Sequence, residues 1–278
     1  MYVDASLAPS RNTGHIKLYG PEAFEGMRKA GRLAAECLDM LLPYVVPGVT
    51  TSRLDDLARE FILDQGATPA CLYYRGYRHT ICTSVNHVVC HGIPGPRALK
   101  EGDCVNIDVT AIVDGWHGDT SRMYSVGEVS RRAMRLMDVT YESLMRGIAV
   151  IKPGARLGDI GHAIQNYVEK QRCSVVRDFC GHGLGLVFHD APNILHFGSP
   201  GEGLELKPGM MFTVEPMVNL GGPAVKVLND GWTAVTKDKE LSAQYEHSLG
   251  VTETGVEIFT QSPAGLDRPH ALAADAAR

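Results

Sequence analysis

Alternating apolar and polar positions predict two pairs of helices and an intervening strand region. Helical spacing of apolar residues predicts, in each pair, a helix followed by a second helical segment: 21–42 with 45–66, and 129–150 with 151–172. Near its start each second segment has Pro-Gly, and an apolar residue lies six positions after that glycine, Leu54 in one and Ile160 in the other. This recurrence favours a duplication into two similar α+β halves joined near 120–128. Since Pro-Gly before a helix is common, two unrelated helix starts also fit the pattern.

The stretch before that junction has the period of a strand. Apolar and polar residues alternate over 105–110, which predicts a half-buried strand with one polar face. Asp114-Gly115 is a favoured two-residue hairpin turn because both residues tolerate positive φ. A hairpin on that turn pairs Thr110 with Asp119. Asp108 and Asp119 then become diagonal neighbours on one face, roughly 7–8 Å apart at the backbone.

Two carboxylates at that separation repel each other unless a cation lies between them or one holds a proton. The pair therefore fits a divalent metal site, and it also fits two solvated aspartates near a turn. Three further candidates are His182 within a glycine-rich run, and Glu215 and Glu246 within strand-like segments. Taken singly, each also fits an incidental turn or edge-strand position. Taken together, four carboxylates balance two divalent ions, and oxygen ligands with one imidazole suit Mn, Fe, Co or Zn.

Composition narrows the class of protein. The chain has 278 residues, of which 44% are hydrophobic and 21% charged, as in a globular protein. A formal net charge of -5 with no basic run argues against nucleic-acid binding. We expect no signal peptide and no membrane span, because the apolar stretches are short and broken by proline. Seven cysteines without a C-x-x-C pair predict neither a disulfide framework nor a zinc module, and they favour a reducing cytoplasm.

Five separated motifs give a specific resemblance. VNIDVT, HGDTS, CGHGLG, FTVEPMVN and QYEHS, supported by VCHGIP at 89–94, closely resemble the type I methionine aminopeptidases in order and spacing. The resemblance implies an α+β pita-bread fold with two pseudo-symmetric halves, antiparallel sheets and a dinuclear metal site. The domain prediction is a lead-in, one catalytic domain of two halves and a mobile tail: 1–15, 16–260 (about 16–122 and 123–260), and 261–278. The match is to the short bacterial type, since Glu215 and Glu246 leave no room for a long insertion.

The resemblance also implies roles for individual residues. Five of them match the family's metal ligands: Asp108, Asp119, His182, Glu215 and Glu246. Glu215 is the expected general base, and His91 and His189 the histidines that contact substrate around the scissile bond. Six residues match the wall of the methionine pocket: Cys71, Tyr74, Tyr77, Cys82, Phe188 and Trp232. Soft and aromatic side chains suit a thioether, although ordinary core packing explains any one of them equally well.

The function that follows is removal of the initiator methionine from peptides and nascent chains with a small second residue. The implied reaction is hydrolysis by a hydroxide that bridges two divalent ions (Co, Mn, Fe or Zn), in a cytoplasmic monomer that contacts the ribosome transiently. Two alternatives are a peptidase of the Xaa-Pro aminopeptidase or prolidase type, and a binding protein that has lost the chemistry. A Cys90–His91 nucleophile is disfavoured, since neighbouring strand residues point to opposite faces.

Three positions depart from the family pattern without being ligands. Leu186 stands where arginine is usual, Asp190 where glutamate is usual, and His87 where an acidic residue or asparagine is common. We expect these to affect loop details and peptide preference, not the chemistry. His87 and His91 have the spacing of a helical metal pair, but the two valines between them favour a strand.

Overall fold

The computed structural model describes residues 1–268. Helices in this range are α1 (Pro21–Leu41), α2 (Thr51–Asp64), α3 (Arg131–Ala149) and α4 (Leu157–Lys170). The first eight strands are β1 (Tyr2–Asp4), β2 (Ile16–Leu18), β3 (Thr68–Pro69), β4 (Ile81–Val85), β5 (Val88–Cys90), β6 (Cys104–Val113), β7 (Trp116–Ser125) and β8 (Ser174–Val175). The others are β9 (Gly181–Gly183), β10 (Asp190–Ile194), β11 (Met211–Val214), β12 (Met217–Asn219), β13 (Val225–Val227), β14 (Ala234–Thr236), β15 (Ser242–Gln244), β16 (His247–Val251) and β17 (Val256–Ile258).

The first half is a helix pair packed on an antiparallel sheet. Strand β6 is central, with β7 along one edge and β4 and β3 in succession along the other. Buried residues of α1 and α2, among them Leu38 and Leu54, meet Ile107 and Val109 of β6 in one hydrophobic core. Their apolar faces follow the helical and strand periods of the sequence, which is why these elements form where the pattern predicts them.

The second half repeats this construction. Five antiparallel strands lie in the order β10, β9, β11, β16 and β17, and the core beneath α3 and α4 includes Leu144, Ile160 and Phe212. Two three-stranded sheets, β15-β12-β8 and β13-β14-β5, and a two-stranded sheet of β1 and β2 complete the sheet structure of the described residues. The predicted α+β class with antiparallel sheets is confirmed.

The turn before the second helix is similar in the two helix pairs. Gly48 and Gly154, which follow the two repeated prolines, have φ of 94° and 84°, a region that favours glycine. Each lies just before a helix of 14 residues, α2 in one half and α4 in the other. The predicted boundary at 122/123 falls inside β7, and 126–130 connects that strand to α3. The exact division into halves stays a prediction.

Both ends of the described chain make specific contacts. The first fifteen residues, predicted to be a loose lead-in, contain β1, which pairs in parallel with β2. Tyr2 also donates a hydrogen bond to the carbonyl of Glu205, so this segment is tied down at its start. At the other end, Ser262 and Asp267 contact Asp39 and the buried Arg122. The remainder of the predicted mobile tail, 269–278, lies outside the described residues. Within 1–268, no helix combines the length and apolar character needed to cross a membrane.

Candidate metal centre and substrate cavity

The hairpin of β6 and β7 carries two of the candidate ligands. Its turn is Asp114-Gly115, with φ of 50° and 86°, and Thr110 pairs with Asp119. The predicted register is therefore confirmed, and Thr110 donates a 2.7 Å hydrogen bond from its hydroxyl to the Asp119 carboxylate. The sequence predicted a half-buried strand with one polar face. In the structure the second half of the chain covers that face, and Asp119 is only 4% exposed.

The second half brings His182 to this face. His182 lies at the centre of β9, between Gly181 and Gly183. A Cβ at Gly181 would lie 2.4 Å from the carbonyl oxygen of Thr213, and one at Gly183 would lie 2.1 Å from that of Ala191. Glycine on both sides therefore lets the neighbouring strands approach the histidine closely. His182 Nε2 lies 3.5 Å from an Asp119 oxygen.

The two glutamates come from the ends of strands β11 and β16. Glu215 follows β11, and its carboxylate lies 3.7 Å from His182 Nε2. Glu246 precedes β16 and forms an isolated bridge with Ser121 of β7. Ligand atoms of Asp119, His182 and Glu246 all lie within 4.8 Å of one another. Asp108 lines the same cavity, so all five candidate ligands are found around one space.

Burial and mutual repulsion perturb these carboxyl groups. Burial raises the pKa of Asp108 and of Glu246 well above the usual range, and the nearby Asp119 charge adds to both shifts. Burial also raises the pKa of Glu215 to about 7, although His182 opposes the shift. For His182, burial lowers the pKa, but the hydrogen bond to Asp119 and the charge of Glu215 outweigh it, so its pKa is raised.

This donor set fits divalent metal ions. Four carboxyl groups in one cavity, two of them buried and two partly buried, are costly as bare charges, and a divalent cation would remove that cost. Oxygen donors with one imidazole suit a metal of intermediate hardness. Supporting groups hold Glu215 in place: Thr213 donates to one carboxylate oxygen at 2.8 Å, and Gln244 donates to the other at 3.2 Å. The backbone N–H of Glu215 donates to His196 Nε2 at 3.1 Å.

His189 lies on the cavity wall beside the candidate ligands. Its ring stacks on Tyr74, with centroids 5.1 Å apart and planes 20° apart. The His182 ring centroid is 4.2 Å away. Burial, with a smaller effect of His182, lowers the pKa of His189 to about 3. The ring is therefore neutral near pH 7 and has a hydrogen-bond donor to offer a carbonyl oxygen.

His91 also lines the cavity, but the argument that separated it from Cys90 is wrong. Strand β5 ends at Cys90, and His91 has φ of 55°, so the alternation of a strand is broken between them. Both residues line the cavity. Burial raises the pKa of the Cys90 thiol well above its usual range, which keeps it protonated and a poor nucleophile. The conclusion against a Cys–His nucleophile therefore rests on the thiol's burial.

All six residues predicted for the methionine pocket line the cavity, whose volume is about 300 Å³: Cys71, Tyr74, Tyr77, Cys82, Phe188 and Trp232. Tyr77 and Trp232 meet edge to face with ring centroids 5.0 Å apart. The Tyr77 hydroxyl donates to the carbonyl of Ile81 at 2.9 Å, so its ring faces the cavity while its polar end is satisfied elsewhere.

Sequence reasoning missed several residues of the site. Arg75, Asp178, Phe179, Cys180 and Met217 also line the cavity. Gln244 could have been found from the sequence, since it belongs to the QYEHS motif. His196 had none, because its contact with Glu215 depends on how β10 and β11 pack. Of the three departures, Leu186 is 40% exposed and His87 lies between β4 and β5, whereas Asp190 is buried against Lys17.

Comparison with known proteins agrees with this site. Residues 25–253 match the model of metallopeptidase family M24. The methionine aminopeptidase of Rickettsia prowazekii is 58% identical over 255 residues, covering 91% of this chain and 98% of that protein. A crystal structure of methionine aminopeptidase from the same organism superposes with a TM-score of 0.88 at 58% identity, over 88% of this chain and 99% of that one. A prolidase from Pyrococcus furiosus, 19% identical with a TM-score of 0.71 over 87% of this chain and 65% of that one, shares the fold.

The chain therefore belongs to metallopeptidase family M24, whose members of known structure share this pita-bread fold. Within the family it groups with the methionine aminopeptidases, because its identity to them is far higher than to the prolidase.

Proposed function

We propose that the protein removes the N-terminal methionine from peptides and nascent chains that carry a small second residue. The observation that carries the proposal is one cavity that combines five candidate metal ligands with a thioether-compatible wall. A small second residue is the preference that the resemblance to the methionine aminopeptidases implies, and aromatic side chains such as Tyr74 and Phe179, which also line the cavity, would crowd a larger one.

We propose two divalent ions, of Co, Mn, Fe or Zn, as the cofactor. Asp108, Asp119, His182, Glu215 and Glu246 would hold them. A divalent ion bound there would lower the pKa of a water and so supply the nucleophile near neutral pH. Four carboxylates match the charge of two such ions, which supports two ions over one.

Side chains around the cavity would supply proton transfer, hydrogen bonds to the scissile bond and the binding of the methionine side chain. The Glu215 carboxylate would accept a proton from the attacking water and return it to the leaving amine. His189, neutral near pH 7, donates a hydrogen bond to the carbonyl oxygen as it gains charge. His91 steadies the scissile amide. The six wall residues hold the methionine side chain away from water: Cys71, Tyr74, Tyr77, Cys82, Phe188 and Trp232.

Two other functions can be distinguished from methionine removal by substrate preference and by the ligand set. A prolidase-type peptidase would cleave Ala-Pro-Ala in preference to Met-Ala-Ser, and the low identity to the prolidase argues against it. A binding protein without activity would be expected to lack ligands, whereas all five candidate positions have a suitable residue. We further propose a cytoplasmic monomer that contacts the ribosome transiently and binds no nucleic acid by sequence. The seven free cysteines support the reducing cytoplasm, and the net charge of -5 supports the absence of nucleic-acid binding.

The test uses protein purified without added metal and then reconstituted with each divalent ion in turn. We expect hydrolysis of Met-Ala-Ser that depends on the ion, and little hydrolysis of Ala-Pro-Ala. Glu246→Gln should lose metal-dependent turnover while the circular dichroism spectrum is kept. Normal turnover by that variant would show that the assigned ligands are wrong, and a preference for Ala-Pro-Ala would favour the prolidase alternative.

A further inference from the structure

Two hydrogen bonds join the N-terminal segment to the part of the chain that carries His189. Asn12 donates from its side-chain amide to the backbone carbonyl of His189, at 3.2 Å. Lys17 of β2 donates from Nζ to the carboxylate of Asp190, at 2.7 Å. His189 and the next residue are thus held from outside the cavity by residues that precede the catalytic helices and sheets.

The Lys17–Asp190 pair is deeply buried. The two side chains are 5% and 3% exposed. Each has a second partner, because Lys17 also donates to the carbonyl of Arg11 at 3.1 Å, and Asp190 also accepts from the N–H of Ala191 at 2.9 Å. Exchange of a buried ion pair for apolar side chains often costs no stability. A contribution to folding stability therefore does not by itself account for the Lys17–Asp190 pair. Its fixed hydrogen bonds also hold the backbone at Asp190 in one geometry.

Asp190 is next to His189 in the chain, so the backbone geometry at Asp190 also affects the direction of the His189 ring. Asp190 begins β10, follows His189 directly and pairs with Gly183, the neighbour of His182. His189 Nδ1 is buried and has no hydrogen-bond partner within residues 1–268. Since no hydrogen bond to Nδ1 orients the ring, its direction depends on its contacts with the rings of Tyr74, His182 and Phe188 and on the backbone that Asp190 fixes.

We propose that Lys17 and Asp190, assisted by Asn12, are positioning residues for His189. They act through the backbone, holding the imidazole at the angle at which it meets the substrate carbonyl. The proposal rests on the proposed function, in which His189 donates to that carbonyl. It also gives a role to Asp190, which departs from the usual residue of the family at this position.

The experiment measures kcat and KM separately on Met-Ala-Ser with the metal-reconstituted full chain. Asp190→Asn should lower kcat about tenfold or more and change KM by less than about twofold, as the loss of a supporting contact does in other metal sites. The metal content per chain should stay as in the wild type. Asp190→Glu keeps the carboxylate and should recover most of kcat.

A matched control separates positioning from general destabilisation. Ser130→Ala removes the N-terminal cap of α3, a hydrogen bond from Ala133 N remote from His189. It should lower Tm and leave kcat unchanged. Should Asp190→Asn fail to fold, Lys17→Met with Asp190→Leu removes both charges and leaves neither unpaired, and it should keep Tm and lose kcat.

Three outcomes would overturn the proposal. One is a fall in kcat for Asp190→Asn no larger than for Ser130→Ala, and another is wild-type kcat in the double variant. In both cases an active wild type leaves the proposed function intact. A wild type that does not hydrolyse Met-Ala-Ser would overturn the proposed function and this proposal with it.

Discussion

The hydroxyl of Thr120 donates a 2.7 Å hydrogen bond to the backbone carbonyl of Glu246. Beside it, the Glu246 N–H donates to the carbonyl of Ser121 at 3.1 Å. Two residues after Glu246, Ser248 donates from its hydroxyl to the carbonyl of Asp119 at 2.6 Å. The two halves are therefore joined by hydrogen bonds made next to the candidate ligands Asp119 and Glu246, so we expect metal binding and the packing of the halves to depend on the same contacts.

Thr120→Val tests that dependence. The substitution keeps the shape of the side chain and leaves the Glu246 carbonyl without its donor, which should cost about 1–3 kcal/mol of unfolding free energy. We also expect metal affinity to fall about tenfold, because the backbone of a ligand is released. Urea unfolding and metal titration by calorimetry measure the two effects.

Thr140→Val is the matched control for this substitution. Thr140 donates from a buried hydroxyl to the carbonyl of Leu136 at 2.8 Å, within α3. It should lose less free energy of unfolding, because the Leu136 carbonyl also accepts the helical N–H of Thr140, and it should keep wild-type metal affinity. Equal metal affinity in both variants would contradict the role given to Thr120.

Asp108→Asn should have opposite effects on stability with and without metal. In metal-free protein it removes one of several crowded carboxyl groups, so Tm should be equal to or above that of the wild type. With saturating metal the wild type gains stability in proportion to its affinity, and the variant gains less. Thermal scans with and without Mn²⁺ measure both effects. A variant that gains as much as the wild type on metal addition would remove Asp108 from the ligand set.

Trp232→Ala should weaken substrate binding more than turnover. The indole meets Tyr77 edge to face, lies 6.3 Å from the His91 ring and lines the cavity. In the proposed pocket it would contact the methionine equally before and during reaction, so its loss should raise KM about tenfold and leave kcat within about threefold. Steady-state kinetics on Met-Ala-Ser measure both constants.

Leu228→Ala is the control for Trp232→Ala. Leu228 lies in the same connection between β13 and β14, is 39% exposed and does not line the cavity. Its KM should equal that of the wild type. A similar rise in KM for both variants would mean that the connection as a whole had shifted, and that Trp232 does not contact the substrate.

Arg122→Leu should be among the most destabilising changes outside the cavity. The Arg122 side chain is 1% exposed and pairs with Asp39 and, at 3.7 Å, with Asp267. Its removal leaves two largely buried carboxylates without their cation, at a cost of about 3–5 kcal/mol. Arg32→Leu breaks an exposed i,i+4 pair with Glu36 and should cost only about 0.3–0.5 kcal/mol. Urea unfolding of the two variants should differ accordingly, and equal midpoints would contradict the prediction.

The sequence predicted those parts of the fold that depend on local patterns. Helices expected at 21–42 and 129–150 are observed at Pro21–Leu41 and Arg131–Ala149, because apolar spacing alone specifies an amphipathic helix. The hairpin register followed from one Asp-Gly turn, since a two-residue turn leaves the paired strands no freedom to slide.

Features that arise from distant parts of the chain could not be predicted. The polar face of the hairpin is buried because the second half covers it, and the N-terminal strand β1 depends on a partner at β2. His91 leaves the strand geometry at a single residue, through φ of 55°. The buried partnership of Lys17 with Asp190 joins residues 173 positions apart, and neither has a local pattern that points to the other.

The division of the candidate ligands between the two halves has a consequence for synthesis of the protein. Asp108 and Asp119 lie on the first-half hairpin, and His182, Glu215 and Glu246 come from the second half. A growing chain that has completed the first half therefore holds two repelling carboxylates but lacks His182 and both glutamates. The candidate ligand set is complete only once Glu246 has been added and paired with Ser121, so we expect capture of metal to be a late event in the maturation of the chain.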